Sequence, residues 1–401
     1  MFGIKDLFSK KKTLKLDRKI NVVFLVYRPS IFTSVRSVYE CAKSHKDINV
    51  YIVALPACME EYADGKQSAE YEEFYRSIDT EMLQAYDKNE DKWLDLSELS
   101  PDYIFLPMPY EEYYLKYSFT YLSQIAKLCF VPYGYSCLEQ YVHFHFRCKT
   151  FLANLSFVFT SSLTEYGIYM RNNSKGARVF NIGYPRFDLL NLKNNTSTDK
   201  KQQLKILYLP RFTVEYDKKH FFPEGSSFIE FKENVISWAQ QNDDCDFVIR
   251  PHPVMFAQAV SMNVMTQEEI DNWKKSVSDS KNMSLDDATI SSYIERLLDT
   301  DVFISDFSSL LVECFITRKP VIYTGNPDGM IEEVQEMLES FYVVDNWQEV
   351  EKILSDLKQG IDPKKELREK AVDNFMQGRE YNVGEKIIDI LIEDFQQNSK
   401  K

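Results

Sequence analysis

The chain has 401 residues, of which 44% are hydrophobic and 14% aromatic, with only 12 Gly and 14 Pro. Single cores stop growing at roughly 250–300 residues, so two domains are expected and a disordered or repeat protein is excluded. A net charge of -13 opposes wholesale nucleic-acid binding, because the phosphate backbone is repelled.

The first nineteen residues depart from that average: seven Lys or Arg stand against two Asp, and Phe2, Ile4, Leu7 and Phe8 can share one helical face. A basic amphipathic segment of this kind suits an anionic membrane surface, and equally a solvated tail. No apolar run reaches the length of about eighteen residues needed for a membrane span. No secretory h-region is present either, so the expected location is cytoplasmic, peripheral on the inner face of the membrane. The seven Cys form no CxxC pair and read as reduced thiols, not as a zinc site.

From Ile20 onward, short apolar runs alternate with longer helical patterns. Strands are expected at Ile20–Tyr27, Val50–Leu55, Tyr103–Pro107, Leu128–Pro132, Phe157–Thr160 and Val179–Ile182, then at Ile206–Leu209, Phe247–Ile249, Val302–Ile304 and Pro320–Tyr323. Most are continuous apolar runs, as parallel strands buried on both faces should be, so the fold class is α/β with parallel sheets. The polar interval Asn191–Gln203 suggests a boundary between domains at 20–190 and 204–362. Residues 363–401 continue as a long helical pattern, apolar at Ala371, Phe375, Ile387, Ile388 and Leu391, which can pack back across the first domain.

Polar clusters follow several strand ends, where ligands of α/β proteins gather. Val131-Pro132-Tyr133-Gly134-Tyr135-Ser136 offers phenols and a hydroxyl beside a glycine that permits close backbone approach. His143 and His145 follow at a spacing that shares a strand face but not a helix face. Arg186, in Gly183-Tyr184-Pro185-Arg186-Phe187-Asp188, either reaches the cleft or pairs with Asp188. Arg211, in Leu209-Pro210-Arg211-Phe212-Thr213, suits bidentate phosphate contact or a surface ion pair. Arg250-Pro251-His252-Pro253 presents an imidazole from a stiff turn, as a phosphate donor or a proton donor. In Ile304-Ser305-Asp306-Phe307-Ser308-Ser309 a helix is expected to begin at the paired hydroxyls. Free N–H groups and a positive dipole end then make an anion site, with Glu313 one turn on, facing a ribose or polyol hydroxyl. A plain helix cap uses the same residues. The acidic run Asp243-Asp244-Cys245-Asp246 reads as a solvated loop before a strand. No cofactor is expected, and no ligand cluster demands a divalent metal.

The order GYPRFD, ILYLPRF, VIRPHP and LLDTDVFISDFSSLLVECFITRKPVIY resembles the CDP-glycerol glycerophosphotransferase family of teichoic acid polymerases and primases, over roughly Leu128 to Tyr323. The resemblance implies a GT-B fold, two Rossmann-like domains facing a cleft with the nucleotide held mainly by the second. It places Ser308, Ser309 and His252, with Arg250, on the donor diphosphate. Arg186 and Arg211 become secondary phosphate contacts, Glu313 and Asp306 donor-hydroxyl contacts, and Gly134, Tyr135 and Ser136 the acceptor side. It further implies a CDP-linked polyol donor, a lipid-linked or polysaccharide acceptor, release of CMP, and work at the membrane in teichoic acid or capsule-like synthesis. Where such polymerases carry a His-Gly pair as base, this chain has Tyr133-Gly134, leaving Tyr133, His143 and His145 as candidates. A phenol with a pKa of about 10 is a poor base at neutral pH. Two alternatives use the same residues: a GT-B glycosyltransferase taking a CMP-, UDP- or GDP-sugar, and a non-catalytic binding protein. The oligomeric state is open.

Overall fold

The computed structural model describes residues 17–56, 66–173, 176–190, 203–214, 225–286, 293–377, 379 and 381–398. Most of the basic N-terminal segment and nearly all of Asn191–Gln203 lie outside them. Fifteen strands occur among the described residues: β1 Ile20–Val26, β2 Ile48–Ala54, β3 Leu83–Gln84, β4 Tyr86–Asp87, β5 Lys92–Trp93, β6 Tyr103–Leu106, β7 Lys127–Phe130, β8 Leu155–Thr160, β9 Arg178–Asn181, β10 Leu204–Leu209, β11 Cys245–Ile249, β12 Met283–Leu285, β13 Val302–Ser305, β14 Val321–Tyr323 and β15 Tyr342–Val343.

Seven of them form one parallel sheet in the order β3-β2-β1-β6-β7-β8-β9, and six form a second in the order β12-β11-β10-β13-β14-β15. Both are Rossmann-like, with the strand order reversing beside the first strand of each sheet. All ten expected strands are present. The missed ones, β3, β12, β15 and the β4/β5 hairpin, have two or three residues each, too few to show a period against helical surroundings.

Each sheet is buried on both faces. On one face of the first, Val22, Phe24 and Val26 pack with Ile387, Ile388 and Leu391 from the end of the chain; on the other, Val23 and Leu25 pack with Phe119 and Phe151. The C-terminal pattern is two helices, Lys365–Met376 and Val383–Asn398. The break follows from their partners: Val372 and Phe375 join the second sheet's core, whereas Ile387 and Leu391 join the first's. The return depends on Gly384, where a Cβ would lie 2.7 Å from the Ser37 carbonyl oxygen. The N–H groups of Val383 and Gly384 donate to Asp188, which is therefore not the partner of Arg186. One apolar cluster also joins Tyr135, Leu138, Tyr184 and Phe187 of the first half to Phe307, Leu311 and Phe315 of the second, so the halves share a core beneath the cleft.

Candidate active site

Two reversal points face each other. In the first sheet the chain leaves β1 into Tyr27-Arg28-Pro29, β6 into the segment ending at Tyr110, and β7 into Tyr133-Gly134. In the second it leaves β10 into Pro210-Arg211, β11 into Arg250-Pro251-His252, and β13 into Asp306–Ser309. The two lips meet at Gly134, where a Cβ would sit 3.5 Å from Ser309 Cβ and 3.9 Å from its Oγ. An added Cβ would thus meet Ser309 at ordinary van der Waals contact, which brings the two lips close together here.

The second lip is built around Asp306. Its buried carboxylate accepts from the N–H of Arg211 at 2.8 Å, the hydroxyl of Ser226 at 3.0 Å, the N–H of Ser227 at 3.1 Å and the Thr324 hydroxyl at 2.6 Å. The Ser227 hydroxyl adds a further bond at 2.5 Å. Both oxygens are spent, so the expected contact of Asp306 with donor hydroxyls is corrected: it sets the shape of the loop.

Arg211, positioned by that bond, lies between the rings of Phe212 and Phe307, with its guanidinium 4.9 and 4.8 Å from their centroids. One nitrogen reaches across to the Tyr141 hydroxyl at 2.9 Å. Burial lowers its pKa to about 10, with Asp306 opposing, so the charge persists at neutral pH. The ring of His252 packs against Phe212 at a tilt of 49°, with centroids 4.7 Å apart. Its Nδ1 accepts the Val254 N–H at 3.4 Å, so the neutral ring carries its proton on Nε2. The side chain is open to solvent but recessed among the walls of the cleft. Desolvation first, then the nearby charges of Arg211 and Arg28, lower its pKa to about 4. A neutral imidazole beside the Arg211 guanidinium favours an anionic ligand.

The Ser308 hydroxyl accepts the Leu310 N–H at 3.1 Å, and regular helix starts at Leu311. That is two residues later than expected, because the Ser308 turn intervenes. Ser309 is exposed on the lip.

A sequence profile of the CDP-glycerol:poly(glycerophosphate) glycerophosphotransferases matches residues 153–393. The chain belongs to this family. Among solved structures it is similar to the wall teichoic acid polymerase TagF, with 14% identity over 99% of this chain and 93% of that one and a TM-score of 0.56. It is also similar to the UDP-GlcNAc 2-epimerase of Neisseria meningitidis bound to UDP-GlcNAc, with 14% identity over 94% and 100% and a TM-score of 0.60. No curated protein matches it by sequence. At these identities the solved structures establish the GT-B-type fold. Family membership makes the chain a CDP-glycerol glycerophosphotransferase-like enzyme of teichoic acid synthesis, with a CDP-glycerol donor and a polymer acceptor.

In this transferase several expected site residues lie elsewhere. Arg186 is buried and donates to the carbonyls of Ser30 at 2.8 Å and Tyr133 at 2.9 Å, and to Glu313 at 3.2 Å. It ties both loops of the first lip to the helix behind Ser309, and is not a phosphate contact. Glu313 is fully buried, so donor hydroxyls do not reach it in this structure; burial raises its pKa, with Arg186 opposing. Arg250 donates to Asp286 at 2.8 Å, which ties its side chain to the segment after β12.

Tyr133 is half-buried, 3.4 Å from the Tyr110 hydroxyl. Burial raises its pKa well above the usual phenol range, which removes it as a base and leaves it a hydrogen-bond donor. Tyr135 packs in the shared core against Phe187 and Phe375, and Ser136 turns to Glu165 at 3.3 Å, so of the acceptor-side trio only Gly134 faces the cleft. His143 and His145 lie on the helix Glu139–His145. His143 points into solvent, whereas His145 is buried with Nδ1 3.0 Å from the Tyr169 hydroxyl. Burial lowers the His145 pKa to about 4, as for a core histidine.

Arg28 was legible but not singled out: it follows a strand and precedes a proline, as in Arg250-Pro251. Among the described residues no group of three or more His, Cys, Asp or Glu could hold a metal, and no helix is long and apolar enough to cross a membrane.

Proposed function

We propose that the cleft binds the diphosphate of a CDP-linked polyol, glycerol or a relative, against Ser309, Arg211 and the Nε2–H of His252. The acceptor hydroxyl enters from the Tyr133-Gly134 side. The observation that supports this is the apposition of Gly134 to Ser309 beside a neutral imidazole and a charged guanidinium. In the reaction a bond forms between the acceptor oxygen and the distal phosphorus, and the bond from that phosphorus to the bridging oxygen breaks. The electron pair leaves on CMP, and the hydroxyl proton passes to solvent through the open side. Negative charge builds on the bridging and non-bridging oxygens as that bond breaks, so the step calls for charge stabilisation, which fits a lip supplying donors. In this reading residues 20–190 serve the acceptor, residues 204–362 hold the donor, and residues 363–401 brace the two. The positive segment 1–19 favours an anionic membrane carrying a lipid-linked acceptor.

Ser309→Ala and His252→Ala test the site. Each should lower CMP release from CDP-glycerol at least about 100-fold, the scale of losing one transition-state donor, with an unchanged melting temperature. CMP release at the wild-type rate by both variants would exclude this cleft.

A further inference from the structure

We propose that Arg28, with the hydroxyls of Tyr110 and Tyr133, forms the acceptor subsite and takes the phosphodiester nearest the hydroxyl end of an incoming polyol-phosphate chain. The inference rests on the functional reading above and adds its missing half.

The argument begins with topology. In a doubly wound sheet the crevice for ligand opens beyond the strand ends where the order reverses. In the second sheet that reversal lies between β10 and β13, whose exits carry Arg211 and Ser309. In the first it lies between β1 and β6, whose exits carry Arg28 and Tyr110. The two arginines therefore occupy equivalent places in the two halves.

Local geometry holds the first lip in register with the second. The guanidinium of Arg186 binds the carbonyls of Ser30 and Tyr133 together, and through Glu313 fixes both to the helix behind Ser309. Arg28 thus sits two residues from one anchor and Tyr133 at the other, while Gly134 faces Ser309 closely enough that an added Cβ would lie 3.5 Å from the serine Cβ. The Arg28 guanidinium lies 5.5 Å from the Tyr27 ring centroid, and Tyr27 packs edge-on against Tyr113, which in turn meets Tyr110. The result is a cation beside a wall of half-buried phenols. The charge of Arg28 opposes the burial-driven rise at Tyr133 and adds to the burial-driven fall at His252, so it lies within electrostatic range of both lips.

The chemistry of such a pair selects a class of ligand. A guanidinium grips a phosphodiester through two oxygens, and neutral phenols donate to or accept from polyol hydroxyls without adding charge. A polyol-phosphate end presents those two groups in alternation. A neutral glycan offers nothing to the arginine.

The test separates acceptor from donor. Calorimetry with a short synthetic glycerol-phosphate oligomer, free glycerol and inorganic phosphate is run on wild type, Arg28→Gln, Arg28→Lys and Tyr110→Phe, each with a wild-type melting temperature. The oligomer should bind wild type, and glycerol should not. Arg28→Gln should weaken oligomer binding at least 10-fold, Arg28→Lys less, and Tyr110→Phe about 3-fold, with CDP-glycerol affinity kept within about 3-fold in all of them. In turnover the same variants should raise the acceptor KM more than they lower kcat. Oligomer binding unchanged in Arg28→Gln, or donor binding lost to the same extent as oligomer binding, overturns the proposal. Because the oligomer is titrated without nucleotide, this result stands apart from any failure of CMP release, which would count against the donor site alone.

Discussion

The tripeptide Pro-Arg-Phe occurs twice, at Pro185-Arg186-Phe187 and at Pro210-Arg211-Phe212, and the two copies have opposite fates. Arg186 lies in the buried junction under the cleft, where burial alone would lower its pKa. Tyr184, Tyr293 and Glu313 outweigh that and raise it. Arg211 lies on the lip, sandwiched between two aromatic faces, and its pKa falls to about 10. One arginine donates to two carbonyls and a carboxylate of its own protein; the other donates to the Phe307 carbonyl and the Tyr141 hydroxyl and stands beside an imidazole kept neutral first by burial and then by nearby positive charge. Surroundings rich in acceptors make a structural tie, and surroundings poor in anions make a place for one.

The comparison breaks most completely at Asp306, because that carboxylate holds the backbone of Arg211. Asp306→Ala removes the acceptor of the Ser226 and Thr324 hydroxyls and of the Arg211 and Ser227 N–H groups in a buried loop, while the Ser227 hydroxyl keeps Tyr208. Each unsatisfied donor costs about 1–3 kcal/mol, so a loss on the order of 5 kcal/mol is expected, measured by urea unfolding. Unchanged unfolding with abolished CDP-glycerol binding would return Asp306 to the ligand.

The buried tie gives the next largest effect. Arg186→Met or Glu313→Gln alone should cost about 3–5 kcal/mol, because each leaves a buried partner uncompensated, whereas the double variant Arg186→Met/Glu313→Gln should recover the part that comes from an unpaired buried charge. Urea unfolding of the four proteins closes the cycle. If Glu313→Gln keeps full stability but loses CDP-glycerol binding, the glutamate serves the donor and the contrast between the two arginines fails.

What could be read from the sequence divides along the same line. Strands such as Ile20–Val26 and Val302–Ser305 declare themselves because burial on both faces demands unbroken apolar runs, and polar residues just after them were rightly placed at the strand ends. Whether a strand-end side chain points into the cleft or into the protein depends on partners far away in the chain. Asp306 meets Ser226, Ser227 and Thr324, and Arg186 meets Ser30 and Tyr133. No local pattern encodes those meetings. Tyr135, Ser136 and His145 were misjudged for the same reason, since each is buried by a segment that the motif does not contain. Arg28 carries a signal that is local, an arginine between a strand end and a proline, as does Arg250.

A third acid at a strand end, Glu165, sharpens the comparison most gently. It is fully buried, accepting the Ser161 N–H at 2.8 Å and the Ser136 hydroxyl at 3.3 Å. Burial, reinforced by the charge of Glu333, raises its pKa to about 7 despite those bonds. Glu333 itself, from the second half, accepts the Leu163 N–H at 2.9 Å and the Thr164 hydroxyl at 2.8 Å. Because the folded state holds the Glu165 proton more tightly than the unfolded one, its contribution is fully present below about pH 4.5 and lost as pH rises through about 7. Glu165→Gln keeps the donors and acceptors but removes the titration. The variant should therefore match wild type below about pH 4.5 and exceed it in stability by up to about 3 kcal/mol at pH 8, the scale set by the shift. His145, whose pKa is lowered to about 4, contributes in the opposite sense: its stability is present above about pH 6.5 and lost as pH falls towards 4. The wild-type curve alone thus hides both slopes, and the difference between wild type and Glu165→Gln isolates one. A difference that stays constant across the whole range would mean that Glu165 titrates in the folded protein as it does in the unfolded one and that the junction beneath the cleft tolerates a second charge at neutral pH.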